Sequence, residues 1–356
     1  MPSATLYRKY RPERFSDVLG QEHIVRAISG ALAQGALSHA YLFAGSRGTG
    51  KTSVARIIAR ELKCSVNDLY EIDAASNRGI DDVRELRESV RARPFDSPYK
   101  VYIIDEVHML STPAFNALLK TLEEPPEHTI FILATTELEK LPETVVSRCE
   151  VHTFKKPSRE LLKQMALAVA KKEGRVIEPA SAELIALLGD GSFRDTHGIL
   201  QKVLSATSEK KIPHGEVEAI TGAPKGVLVN EVFSAIAERN AARGLAAVAR
   251  AAQANTDMRL FLHLVLERLR AGLLLRYAQD IAEEMKHDFT EEDFLLIETT
   301  AKNHDANLSS GVLKEFLDAY QKIRDYYIPE VAIEIALMKV VGDAPDKSAS
   351  KTESKE

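Results

Sequence analysis

A glycine-rich octapeptide constrains this chain more than any other stretch. Its residues are Gly45-Ser46-Arg47-Gly48-Thr49-Gly50-Lys51-Thr52. It follows the apolar run 40–44 and precedes the amphipathic stretch 53–60, which is the strand, loop and helix order of a phosphate-binding loop. Glycines let successive backbone N–H groups surround phosphate oxygens, and the helix N-terminus adds a positive dipole end. An isolated match also fits a simple glycine-rich turn, but this setting favours a nucleoside triphosphate site.

Within such a loop two side chains have defined tasks. Lys51 reaches the β- and γ-phosphates, and Thr52 binds Mg²⁺. Downstream, the apolar run 101–104 ends in Asp105 and Glu106. A polar strand end is the simple reading, but beside a phosphate loop Asp105 is expected to hold Mg²⁺ and Glu106 to polarise the attacking water. Both carboxylates together favour ATP hydrolysis over binding alone.

Two further positions keep alternative readings. The run 130–134 ends in Thr135 and Thr136, so a hydroxyl lies beside the γ-phosphate or merely caps the strand end. Arg148 reads as an ordinary surface arginine. In a ring of subunits it could instead face a neighbour's ATP as an arginine finger, which stabilises charge on the transferred phosphoryl group.

Apolar runs alternate with amphipathic stretches in the first half of the chain. The runs are 39–44, 70–73, 100–104, 129–134 and 150–154. This alternation predicts an α/β fold, a parallel sheet with helices on both faces. From Arg159 onward the periodicity is helical and no strand is predicted. One of these helices is expected to begin at Ser192, whose hydroxyl caps it with Asp195 three residues on, so that Arg194 lies in its first turn.

The length of 356 residues exceeds what one hydrophobic core supports, so several domains are expected. We divide the chain into an ATPase domain (1–157), a small helical lid domain (158–222), an all-helical domain (223–342) and a disordered tail (343–356). The tail consists of small and charged residues that cannot bury enough apolar surface to become ordered.

Composition excludes several classes of protein. A net charge of −5 argues against a polycation that holds nucleic acid by charge alone. Two cysteines are too few for a disulfide framework or a four-thiolate zinc site. No apolar stretch suits a membrane span, and the basic N-terminus runs into Pro12 and Glu13 without a secretory signal. We therefore expect a cytoplasmic protein.

With these residues in place, the chain resembles the ATPase subunits (gamma/tau) of the bacterial DNA polymerase III clamp loader, which are AAA+ proteins. Besides the phosphate loop, the matching stretches are 10–12, 15–21, 71–76, 104–110, 115–126, 133–136 and 147–149. The resemblance is strong over about residues 1–220 and weak beyond. It implies a P-loop AAA+ domain with a five-stranded parallel sheet, then the helical lid, then a helical collar that joins five subunits.

The resemblance also implies roles for single residues. Thr136 is similar to the sensor-1 position, Arg148 to the finger that acts on a neighbouring subunit, and Arg194 to the sensor-2 arginine. The implied wall of the adenine site consists of Tyr10, Arg11, Pro12, Val18, Leu19 and Gly20. Read without the resemblance, residues 7–14 are a solvated basic arm.

The function implied is that of a motor subunit that uses ATP and Mg²⁺ to open a sliding clamp and load it onto primed DNA. The implied partners are delta, delta prime and further gamma/tau copies in a pentameric ring, together with the clamp and primer-template DNA. A non-catalytic ring component resembling delta prime is the alternative. An AAA+ motor acting at DNA junctions shares the phosphate loop and carboxylates but not the context of Arg148.

Two departures from the family pattern concern Cys64 and the end of the chain. Family members carry a four-cysteine zinc module before the strand at 71–75, whereas here only Cys64 stands at its first position. One thiolate cannot form a tetrahedral site, so no zinc is expected. The chain also ends soon after the collar, which predicts a short, gamma-like form without the polymerase- and helicase-binding extension.

Overall fold

The computed structural model of the chain describes residues 5–76, 86, 88–278 and 289–342. Its contacts define two compact units, one of residues 1–173 and 184–201, the other of residues 174–183 and 202–356. The three-domain division made from the sequence stays a prediction, and the tail 343–356 lies outside the described residues. Within those described residues, no helix combines the length and apolarity needed to cross a membrane.

A five-stranded parallel sheet forms the centre of the first unit, as predicted. The strands are β1 (Ala40–Ala44), β2 (Leu69–Asp73), β3 (Lys100–Asp105), β4 (Thr129–Thr135) and β5 (Glu150–Thr153). Their order is β2-β3-β4-β1-β5, and every pairing is parallel. Each predicted run corresponds to one strand, and the bounds differ by at most one residue at either end. Buried parallel strands form continuous apolar runs that sequence patterns detect well.

Eight α-helices with both ends described lie within residues 5–206, besides the helical residues 86 and 88–91. They are α1 (Leu6–Lys9), α2 (Glu22–Gln34), α3 (Lys51–Glu61), α4 (Thr112–Glu123), α5 (Glu143–Val146), α6 (Arg159–Lys172), α7 (Pro179–Leu188) and α8 (Phe193–Ala206). Residues of α7 and α8 are divided between the two units.

Helices cover both faces of the sheet, because alternate side chains of each strand point to opposite sides. On β1, Tyr41 and Phe43 join a buried cluster with α2 and α3, whereas Leu42 joins the opposite cluster with α4. Strands β3 and β4 alternate in the same way. The strand ends at the carboxyl edge therefore remain the place where functional side chains gather.

The second unit is mainly helical. Its further helices are α9 (His214–Thr221), α10 (Gly226–Ala237), α11 (Ala241–Gln253), α12 (Met258–Tyr277), α13 (Glu291–Lys302), α14 (Ser310–Lys322) and α15 (Glu330–Gly342). The expectation of no strand after Arg159 is wrong, because β6 (Val176–Ile177) pairs in parallel with β7 (Lys211–Ile212). Two residues per strand are too few to produce a detectable alternation.

Two arginines organise the helices of the second unit. Arg268 is buried, and its guanidinium donates to Asn230 Oδ1 at 2.6 Å and Asp293 Oδ2 at 2.9 Å. Asn230 Nδ2 donates to the other carboxylate oxygen at 2.7 Å, which closes the network. Arg276 donates to the carbonyls of Asn303 and Leu308, each at 2.7 Å, and so satisfies acceptors just beyond the C-terminus of α13.

Candidate nucleotide site

The predicted phosphate loop joins β1 to α3, and its glycines adopt conformations that few other residues could. Gly45 has φ 146° and Gly48 has φ 74°. A Cβ on Gly45 would approach the Phe154 carbonyl oxygen to 2.5 Å, and one on Gly48 would approach Ser192 Oγ to 2.0 Å. Positive φ and close contact together explain why glycine occupies both positions.

Lys51 begins α3 and lies folded against the loop. Its Nζ donates to the carbonyls of Gly45 at 2.6 Å and Ser46 at 2.9 Å, and only 6% of the residue is exposed. Burial lowers the pKa of Lys51, and the nearby Glu106 and Asp105 carboxylates oppose that shift. A bound phosphate would offer this ammonium a full negative charge, which the two neutral carbonyls do not.

Thr52 and Asp105 meet directly. Thr52 Oγ1 donates to Asp105 Oδ2 at 2.8 Å, which joins the second residue of α3 to the last residue of β3. A hydroxyl and a carboxylate oxygen so close together are the hard oxygen donors that Mg²⁺ prefers. The donor set therefore fits the ion that the sequence predicted at these two residues.

Glu106 follows β3 in the left-handed region, with φ 50° and ψ 42°. That conformation is unusual for a non-glycine residue and recurs at functional sites. Its N–H donates to Asp105 Oδ1 at 3.1 Å, and its carboxylate accepts from Thr136 Oγ1 at 3.1 Å. The predicted metal ligand, the predicted base and the threonine after β4 are thus linked by hydrogen bonds.

The two threonines at the end of β4 make different contacts. Thr135 is fully buried, and its hydroxyl accepts the Glu137 N–H at 3.0 Å, so it caps the strand end. Thr136 instead contacts Glu106. Sequence reasoning missed His108, whose Nδ1 lies 2.9 Å from Thr135 Oγ1. A histidine three residues beyond the predicted metal-binding carboxylate was the available signal.

The N-terminus of α8 is anchored to the phosphate loop. The Phe193 N–H donates to the Gly48 carbonyl at 2.9 Å. Ser192 Oγ accepts the Asp195 N–H at 3.2 Å, so the predicted cap is confirmed. Arg194 therefore lies in the first turn, as predicted, with its guanidinium 6.0 Å from the centre of the Tyr7 ring.

Several cations converge near the loop. Burial lowers the pKa of Arg11, and the charges of Arg56 and Arg194 lower it further. Arg194 also acts on Lys51 in the same direction. Among these arginines, Arg56 has a carboxylate partner, Glu71. An excess of positive charge in a partly buried region favours a ligand with several negative charges.

The remaining residues of the implied adenine wall lie in different surroundings. Tyr10 donates to a Glu173 carboxylate oxygen and stacks against His197, with ring centres 6.3 Å apart. Arg11 and Pro12 are half-buried, as is Val18, which packs against the cluster beneath α2 and α3. Leu19 is 42% exposed. A Cβ on Gly20 would lie 2.8 Å from Leu161 Cδ2 of α6.

Arg148 follows α5 and makes its contacts within its own neighbourhood. One guanidinium nitrogen pairs with Glu123 Oε1 at 2.7 Å, and the other donates to the Thr144 carbonyl at 2.7 Å. The side chain is 34% exposed. These contacts do not join Arg148 to the carboxylates of its own site.

The segment between α3 and β2 is held by a carboxylate. Asp68 is fully buried and accepts the N–H groups of Phe95 at 2.6 Å and Asp96 at 2.8 Å. Burial acts to raise the pKa of Asp68, but the hydrogen bonds outweigh it and hold the pKa at about 2. Cys64 is half-buried, and burial raises the pKa of its thiol. The described residues contain no cluster of three or more histidine, cysteine or acidic side chains arranged for a metal.

Known proteins resemble this chain in sequence. Residues 20–78 and 64–158 match a family model described as DNA polymerase III, delta subunit. The DNA polymerase III subunit tau of Bacillus subtilis is 35% identical over 96% of this chain and 63% of its own length. The tau subunit of Escherichia coli is 38% identical over 78% of this chain and 46% of its own length.

Over most of its length the chain is similar to DNA polymerase III tau and gamma/tau subunits. The gamma/tau subunit of Mycobacterium tuberculosis is 34% identical over 94% of this chain and 62% of its own length. Against the Bacillus and Mycobacterium relatives, the chain thus spans about three-fifths of the length of the curated protein.

The fold also has relatives among solved structures. The RuvB Holliday junction branch migration motor of Thermotoga maritima superposes with a TM-score of 0.51 at 24% identity, over 64% of this chain and 80% of that one. The likeness concerns fold alone. The first unit, with its phosphate loop, five-stranded parallel sheet and following helices, has the fold of AAA+ ATPases, as predicted.

Proposed function

We propose that the chain is an ATP-dependent motor subunit of a DNA polymerase clamp loader. The observation that carries this proposal is the linked group at the carboxyl edge of the sheet, in which Thr52 contacts Asp105 and Thr136 contacts Glu106. Sequence similarity to DNA polymerase III tau and gamma/tau subunits supports the biological setting.

Each residue of the candidate site has its own role in ATP hydrolysis. The loop amides and Lys51 bind the triphosphate, and Thr52 with Asp105 would hold Mg²⁺, which neutralises charge on the phosphates when bound. Glu106 orients and polarises the attacking water, because its carboxylate is the second acidic group at this edge. Thr136 and Arg194 act as sensors that tie the carboxylate and α8 to the γ-phosphate.

Arg148 completes a neighbouring site. Its contacts with Glu123 and Thr144 are compatible with a guanidinium that leaves its own subunit's surface for the ATP of the next subunit. An isolated chain should therefore be a poor ATPase until a partner supplies the finger, since such arginines contribute about 10³- to 10⁵-fold to hydrolysis.

In this proposal the subunit acts in a pentameric ring with delta, delta prime and further copies of its own kind, at the replication fork on the nucleoid. ATP binding closes the ring on primer-template DNA and holds the sliding clamp open, and hydrolysis releases both. The mass of the assembly formed with delta and delta-prime subunits, with and without ATP, tests the ring. A chain that stays solitary in both conditions contradicts it.

A non-catalytic scaffold role is the second candidate, because the matching family model is described as the delta subunit. The linkage of Thr52 with Asp105 argues against a degenerate site. Lys51→Ala separates the two, since it removes the ammonium that the loop presents to the phosphates. Clamp loading at the wild-type rate by Lys51→Ala assemblies would favour the scaffold.

A further inference from the structure

His108 lies in a buried position between two carboxylates. It belongs to the 3-10 turn Val107–Met109 that follows β3, and its side chain is 6% exposed. Its Nδ1 lies 2.9 Å from Thr135 Oγ1 and 3.6 Å from Glu106 Oε2. Its Nε2 lies 3.7 Å from Glu137 Oε1. One ring thus contacts the end of β4, the predicted base and the residue that opens the next turn.

The contacts leave the imidazole little freedom. Thr135 is fully buried, and its hydroxyl also accepts the Glu137 N–H, so the hydroxyl is fixed from two sides. Whichever ring nitrogen carries the proton, its N–H faces a carboxylate or the threonine hydroxyl. The imidazole ring therefore lies in a fixed position beside the Glu106 carboxylate.

Glu106 needs such support. Its backbone lies in the left-handed region, a conformation that persists at a non-glycine residue only where the surrounding structure holds it. Thr136 Oγ1 and His108 Nδ1 both lie near the same carboxylate oxygen, Glu106 Oε2, at 3.1 and 3.6 Å. The hydrogen bond from Thr136 holds this oxygen, and the imidazole packs against the same side of the carboxylate.

We propose that His108 is a positioning residue for Glu106, and that Glu137 orients His108 in turn. The inference rests on the proposed function, because it assigns Glu106 to the attacking water. Glu137 is itself fixed by Lys140, whose hydrogen bond lowers the pKa of Glu137 and keeps it anionic. Lys140 thus orients Glu137, Glu137 orients His108, and His108 positions Glu106.

The test measures hydrolysis and nucleotide binding separately, in the full chain assembled with its partner subunits. His108→Leu should lower kcat about 10- to 100-fold, because small misplacement of a catalytic group costs about that much. KM and the Kd for a fluorescent ATP analogue should stay within about 2-fold, since Lys51 and Thr52 are untouched. His108→Asn, which keeps a polar atom near Nδ1, should recover a substantial part of the lost kcat.

A matched control lies at the opposite edge of the sheet. His128 precedes β4, and its Nε2 lies 3.3 Å from the Val90 carbonyl and 3.2 Å from the Ala92 carbonyl. His128→Leu also removes a half-buried imidazole with two contacts, but far from Glu106 along the strand. It should leave kcat near the wild-type value, and an equal loss in both leucine variants would reduce His108 to a structural residue.

The contact between Glu137 and His108 is tested by its own pair of variants. Glu137→Gln should lower kcat several-fold, whereas Glu139→Gln, on a neighbouring turn residue, should not. In a His108→Leu background the Glu137→Gln change should add little, because Glu137 acts on Glu106 through His108. Full additivity of the two losses would overturn the role given to Glu137.

The outcomes also separate this inference from the proposed function. If Glu106→Gln hydrolyses ATP at the wild-type rate, the assignment of the base fails and so does the proposed mechanism. If Glu106→Gln is inactive but His108→Leu keeps the wild-type kcat, or changes only KM, the positioning role alone is wrong.

Discussion

Gly48→Ala probes the contact between the phosphate loop and α8. The new Cβ would lie 2.0 Å from Ser192 Oγ and 3.0 Å from Ser192 Cβ. The hydroxyl must rotate away, which removes the cap on the Asp195 N–H and costs about 1 kcal/mol. An alanine at φ 74° adds about 1 to 2 kcal/mol of backbone strain. The free energy of unfolding should fall by about 2 to 3 kcal/mol in total.

Gly35→Ala supplies the matched control. Gly35 has φ 65°, and no atom lies within 4 Å of the place that a Cβ would take, so the substitution brings the backbone strain without the clash. Urea unfolding followed by far-UV circular dichroism compares the two variants. Adding Ser192→Gly to Gly48→Ala should restore about 1 kcal/mol, because the obstructing hydroxyl is gone and glycine is a tolerable cap. Equal losses for Gly48→Ala and Gly35→Ala, with no recovery in the double variant, would refute the reasoning.

Three other perturbations test the described contacts. Glu123→Gln should free Arg148 and raise the partner-dependent ATPase rate about 2- to 5-fold at subsaturating partner, since an exposed ion pair contributes at most about 1 kcal/mol. Glu124→Gln should leave that rate unchanged. A fall in the rate of the Glu123→Gln variant would contradict this prediction. Asp68, with a folded pKa of about 2, should contribute about 2 to 3 kcal/mol to the free energy of unfolding above about pH 4. This contribution is lost as the pH falls toward about 2. Asp68→Asn should flatten that dependence in urea unfolding. Metal analysis should find no stoichiometric zinc at Cys64, and one zinc per chain would contradict the expectation.

The sheet and its functional edge were predictable because their physical signals are local. Buried parallel strands form continuous apolar runs, and the glycine loop with Lys51 and Thr52 has few structural alternatives. The cap at Ser192 was readable from its spacing to Asp195. The two-residue strands β6 and β7 were not, since their pairing depends on a contact between distant parts of the chain.

Side-chain partners across strands were harder to foresee. His108 lies three residues after Asp105, but its contact with Thr135 arises only when β3 and β4 lie side by side. The sequence also left open which threonine faces the carboxylate. Thr135 ends β4 and accepts the Glu137 N–H, whereas Thr136 follows the strand and contacts Glu106. The stacking of Tyr10 on His197 joins residues far apart in the chain, and no local pattern signals it.

We propose that this carboxyl edge hydrolyses ATP in response to primed DNA. The most direct test is the ATPase rate of the chain assembled with delta, delta prime and the clamp, on primed and on unprimed DNA of the same length. We predict strong stimulation by primed DNA, and a fall of about 10²- to 10⁴-fold for Glu106→Gln with nucleotide binding retained. Equal rates on the two DNAs, or full activity without Glu106, would contradict the account.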